Sequence, residues 1–104
     1  MPAVTHRLKK PLQTANAPIT EVKIREPNGE DYMELGDPYI VARLEDGTFF
    51  PAEDKGVLRQ YVGRLVDLDP NLMGQMGLAD AMAIRDIVLS FFSDARSTSE
   101  TPST

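Results

Sequence analysis

Residues 22–39, VKIREPNGEDYMELGDPY, carry a strand end, a turn, a helix and a stop in close succession. Val22 and Ile24 alternate with Lys23 and Arg25, the pattern of a half-buried strand. Pro27 ends that strand, because it has no N–H for a ladder. Asn28 follows as an N-cap, with Asp31 three residues on as a weak variant of the capping box. Glu30, Asp31 and Glu34 put negative charge in the first turns, where the helix dipole favours it. The pattern predicts a short helix over 29–36. Gly36-Asp37-Pro38 stops it, since Gly suits a left-handed cap and Pro cannot continue a helix.

Toward the N-terminus, residues 4–10 (VTHRLKK) and 19–25 (ITEVKIR) read as two strands of an antiparallel hairpin. Pro11 and QTANAP (13–18) form the loop between them, too long to fix the register. Beyond the central stretch, YIVARLE (39–45), the Asp46-Gly47 turn and Thr48-Phe49-Phe50 predict a second, small hairpin over 39–51. Residues 54–67 place Leu58, Tyr61, Val62 and Leu65 at helical spacing, although Gly56 and Gly63 each cost about 1 kcal/mol relative to Ala. Asp69-Pro70 starts a single-turn helix holding Leu72, Met73 and Met76, and Gly77 ends it. Residues 78–92, LADAMAIRDIVLSFF, are apolar on most sides and predict a central helix packed by several neighbours.

The expected fold is therefore α+β: an N-terminal β-hairpin, a short helix, a small β-hairpin insert and a helical C-terminal half. Its expected core is Ile24, Leu35, Leu58, Val62, Leu65, Leu78, Met82, Val88 and Phe92. One domain spans 1–92. Residues 93–104, with seven Ser/Thr and no large apolar side chain, read as a disordered tail.

Composition narrows the function. The chain has 104 residues, 41% hydrophobic and 26% charged, which is one ordinary globular domain. It has no Cys and a single His, which excludes thiolate chemistry and multi-His metal sites. No apolar run is long enough for a membrane span, and the N-terminus lacks the apolar core of a secretory signal. No phosphate-binding glycine loop, HExxH or nucleophile elbow is present. His6 reads as a surface residue, and Asp67 and Asp69 lack the rest of a calcium loop. The expectation is a soluble, intracellular, non-enzymatic domain with no catalytic site, cofactor or metal.

The net charge of −5 is uneven: +4 over residues 1–25, −8 over 26–54 and −1 over 55–104. Such a chain has no electrostatic route to nucleic acid. The acidic stretch reads first as a solvated face, and otherwise as a docking surface or a nucleic-acid mimic. Tyr39, Ile40, Phe49 and Phe50 either cover one end of the helices or form a patch for a partner. Met73 and Met76, flexible and beside glycines, carry the same two readings.

The succession Val22 to Pro27, Asn28 to Gly36, Asp37-Pro38-Tyr39, Leu58 to Leu68, then Leu78-Ala79-Asp80 and Phe91-Phe92 resembles the phage tail assembly chaperones of Mu-like and related long-tailed bacteriophages and prophages. The likeness covers about residues 6–92, and its most distinctive parts are the Arg25-Glu26-Pro27 turn and the Gly36-Asp37-Pro38-Tyr39 break. Asn28 stands where the family often has Thr, which keeps an N-cap. The resemblance implies a non-enzymatic assembly factor. Such a protein binds the tape measure protein, keeps it soluble, helps recruit tail tube subunits, and leaves before the tail is complete. It implies work in the bacterial host cytoplasm, on neither nucleic acid nor membrane. An apolar groove would suit it, lined by the second hairpin and the 70–77 Met segment and rimmed by the acidic 26–54 stretch. Two other readings are a small acidic regulator that mimics nucleic acid and a minor structural tail subunit.

Overall fold

A computed structural model describes residues 3–100. The elements follow in order as β1 (Val4–Leu12), β2 (Ile19–Ile24), α1 (Gly29–Leu35), β3 (Tyr39–Arg43), β4 (Phe49–Glu53), α2 (Lys55–Leu65), α3 (Pro70–Met73) and α4 (Leu78–Glu100). The architecture is the expected α+β, with β1–β2 and β3–β4 as two separate antiparallel hairpins.

β1 runs past the expected end at residue 10. Its pairing with β2 shifts from Arg7↔Glu21 to Leu12↔Ile19, so four residues of β1, Leu8 to Pro11, face the single residue Thr20. That bulge keeps Leu8 and Leu12 on the buried side of the sheet, and it bends the strand where Pro11 sits. In the loop, the Thr14 hydroxyl donates to the Ala17 carbonyl at 2.6 Å and accepts from the Asn16 and Ala17 amides. The free edge of β2 takes a further partner. After α2 the chain leaves the helix, and Val66 bridges Ile24. Arg25 N donates to Leu65 O and Asp67 N to Lys23 O, both at 3.0 Å. The Asp67 carboxylate accepts from Lys23 N at 2.7 Å. Helix 54–67 therefore stops two residues early, because Val66 and Asp67 serve the sheet instead.

α1 has a complete capping box. The Asn28 side chain accepts from Asp31 N, and the Asp31 side chain accepts from Asn28 N. Asp31 is 3% exposed and also receives a two-pronged bond from the Arg25 guanidinium, at 2.7 and 3.1 Å. Arg64 of α2 reaches both Asp31 and Glu34. The Arg25 bond, together with the Asn28 amide and Arg64, outweighs burial and holds the Asp31 carboxyl well below the ordinary value of 3.8. Folding therefore draws strength from ionised Asp31. That strength is complete above the ordinary carboxylate value and is lost as pH falls below it. Asp31→Ala is expected to lower stability by about 2–3 kcal/mol near neutral pH. It should also flatten the acid limb of a denaturation series between pH 5 and pH 2.

Gly36 ends α1 at φ +78°, a conformation that favours glycine, and its carbonyl accepts the Tyr61 hydroxyl at 2.6 Å. Tyr61 is fully buried and meets Phe92 edge-on, with ring centroids 4.9 Å apart. Around this pair lies one core built from Leu8, Leu12, Val22, Ile24, Leu58, Leu65, Val66, Leu68, Ile84 and Val88.

Helix α4 corrects the reading of its apolarity. Asp80, Ile84, Val88 and Phe92 form its buried stripe, while Leu78 and Met82, both expected in the core, are 77% and 47% exposed. Ala79, Ala81 and Ala83, with Ile87, Leu89 and Phe91, spread hydropathy around the helix without fixing which side is covered. Leu35 and Val62 are half-buried at the edge of the core rather than within it. Of the expected tail over 93–104, the α4 helix takes in the backbone through Glu100. Residues 101–104 of that expectation lie outside the described residues.

Candidate partner-binding site

Two apolar surfaces emerge, and they divide the six candidate residues. The first is the hairpin β3–β4. Its turn is a type I turn with Glu45 and Asp46 at the centre, closed by Gly47 N to Leu44 O at 2.9 Å. Gly47 follows at φ +91°, the bulge position of a three-residue hairpin loop. The Asp46 carboxylate accepts from Thr48 N and from the Thr48 hydroxyl, and these bonds pull its pKa down. At the base, Asp54 N donates to Pro38 O at 2.8 Å, and the Asp54 side chain caps α2 through Val57 N. The hairpin is thus anchored at one end, where Tyr39 packs against the core. Beyond that base it makes few contacts with other elements.

Both hairpin faces are therefore wet. Paired residues point to the same face. Ile40, Leu44 and Phe50 lie on one face, 51%, 48% and 41% exposed. Val41 and Phe49 lie on the other, 72% and 63% exposed, with the Arg43 guanidinium 5.7 Å from the Phe49 ring centre. Val41 and Leu44 were not singled out from the sequence, although they continue the apolar run of YIVARL. A two-stranded hairpin carrying this much apolar surface is marginal alone in water and gains from being covered.

The second surface is a groove of about 420 Å³ between α2, α3 and α4. Met73 and Met76 line it, with Leu58, Val62 and Ile84 behind them. Phe49 and Phe50 are not part of it. β4 contributes Glu53 alone, and the rim carries Lys55, Arg59 and Arg85. The expected acidic rim is thus mainly basic. Four of the nine acids of 26–54 are engaged elsewhere: Asp31 and Glu34 with Arg64, Asp46 in its turn, Asp54 as a cap.

One polar cluster escaped the sequence reading. Asp80, 1% exposed in the first turn of α4, accepts Lys9 N at 2.9 Å and Lys10 N at 3.1 Å, and His6 Nε2 lies 3.0 Å away. These amides belong to the β1 bulge, where the ladder to β2 is interrupted. His6 is therefore half-buried and engaged, not a free surface residue. Burial pushes the Asp80 carboxyl up, but the Lys9 and Lys10 amides and the His6 ring together outweigh it and hold the pKa below the ordinary value. A charged group tied down by three donors at a bulge is a structural clamp.

Among the described residues, no helix is long and apolar enough to cross a membrane. The surface is that of a small α+β domain whose unusual feature is exposed apolar area. A family model described as phage tail assembly chaperone proteins, E, or 41 or 14, matches residues 5–93. The match takes in every element from β1 to the last buried turn of α4, and the chain belongs to that family. No curated protein and no solved structure gives a significant match.

Proposed function

We propose that this chain is a non-enzymatic assembly factor that binds and solubilises the tape measure protein and helps recruit tail tube subunits during tail morphogenesis. It does so in the bacterial host cytoplasm and leaves before the virion is complete. The observation that carries this reading is the β3–β4 hairpin, anchored at its base and exposing Ile40, Val41, Leu44, Phe49 and Phe50 on two faces. A long amphipathic partner aggregates unless its apolar stripe is covered, and an exposed apolar hairpin on a charged domain can cover it. The Met-lined groove supplies a second, adaptable contact.

Co-expression with the tape measure protein of the same genome tests this directly. The partner should be soluble and co-purify only when this chain is present. The complex should tolerate added salt, because apolar contacts are little screened. Insolubility of the partner in both cases removes the reading. Stoichiometric recovery of this chain from purified tails would make it a structural subunit instead.

A further inference from the structure

The two edges of the β3–β4 hairpin are unequal. Leu44 N donates to Thr48 O and Asp54 N to Pro38 O, so the even-numbered positions of β3 point their backbone groups inward, toward β4. Tyr39, Val41 and Arg43 therefore point theirs outward. On β4 the outward positions are Phe49, Pro51 and Glu53. Pro51 has no N–H, so the middle of that edge cannot donate to another strand. On the β3 edge each outward residue keeps both its donor and its acceptor. Among the described residues, β3 pairs with no strand other than β4. One edge is blocked and the other is open.

We propose that the occupant of the open edge is β3 of a second copy of this chain, antiparallel and centred on Val41. A two-fold contact between identical strands can centre on any residue of β3, but centring on Ile40 or Ala42 keeps only two mutual pairs of outward residues within the strand. Centring on Arg43 sets that cation against its own copy. Centring on Tyr39 draws Asp37 and Val41 into register and leaves Arg43 unpaired. Centring on Val41 pairs Tyr39 with Arg43 of the copy on both sides of the axis, a ring against a guanidinium. Three mutual backbone pairs then form, two of Tyr39 with Arg43 and one of Val41 with itself. The valines meet on one face. On the other, Ile40 of each chain lies against Ala42 of its copy. The result is a four-stranded sheet whose outer edges are both stopped by Pro51. It gathers Ile40, Leu44 and Phe50 of two chains onto one apolar face. The dimer stands apart from the chaperone reading and is measured on this chain alone.

Sedimentation over a roughly hundredfold concentration range should show a species of twice the 11.5 kDa chain mass. Val41→Lys places like charges on the axis at a side chain already 72% exposed, so the fold should stand by circular dichroism. Its dissociation constant should rise at least about tenfold. Val41→Cys, in a chain that has no other Cys, should cross-link to its copy on oxidation. The α-carbons of such a pair lie about 5.5 Å apart, within disulfide reach. A monomer at every concentration overturns the proposal. So does a dimer that survives Val41→Lys, or one in which Val41→Cys fails to cross-link. If Val41→Lys unfolds the chain, the cysteine variant decides alone.

Discussion

Asp80→Ala is expected to cost about 3–4 kcal/mol of stability, as much as truncating a large core side chain. By the usual scaling for a domain of this size, that lowers the midpoint of thermal unfolding by roughly 15–25 °C. Alanine in place of Asp80 leaves the Lys9 and Lys10 amides without their acceptor, in a bulge where β2 offers none. It also unties the first turn of α4 from β1 and frees His6. Hydrogen exchange should report this locally. The Lys9 and Lys10 amides are protected in the native protein and exchange at the rate of an exposed loop in the variant. Asp80→Asn should fall between the two. Its oxygen still serves one amide, but its NH₂ then faces a second donor.

The pH dependence separates this clamp from simple packing. The Asp80 carboxyl is held below its ordinary value of 3.8, so the unfolded chain takes up the proton first. The stability that Asp80 contributes is complete above that value and drains away as pH drops beneath it. The difference between native protein and Asp80→Ala should thus narrow in acid. A difference that stays constant from pH 7 to pH 2.5 would mean the loss comes from packing rather than from the carboxylate.

The elements whose determinants are local were legible in the sequence. Asn28 and Asp31 cap α1 from three residues apart, Asp69-Pro70 opens α3, and Asp46-Gly47 turns the second hairpin. What depends on distant partners was not. Asp80 reads as an ordinary acid in a first helical turn until the bulge, seventy positions earlier in the chain, is brought against it. Val66 and Asp67 continue a helical pattern until β2 claims them. The acidic stretch looks like a free surface until Arg25 and Arg64 are seen to consume Asp31 and Glu34. For the site, excess apolar residues in 39–51 were visible. Their separation from Met73 and Met76 was not, because sequence says nothing of where a hairpin leans.

That separation makes the two surfaces independently testable, and the hairpin should dominate. Phe49→Ser with Phe50→Ser is expected to abolish solubilisation of the tape measure protein while leaving this chain folded. The rings are 63% and 41% exposed, so removing them opens little cavity, and the domain should lose no more than about 1 kcal/mol. The partner loses two large apolar contacts, each worth about 1.5–3 kcal/mol when fully covered. The binding constant should therefore fall by at least a hundredfold. Met73→Ser in the groove should weaken binding less, because the Met73 side chain is already half-buried against its own domain and has less surface left to cover. The measurement is the soluble fraction of the partner on co-expression, read beside the circular dichroism and thermal midpoint of each variant alone. Full solubilisation by a folded Phe49/Phe50 double variant moves the contact to the groove. Collapse of the fold would show that the rings are covered within this chain after all.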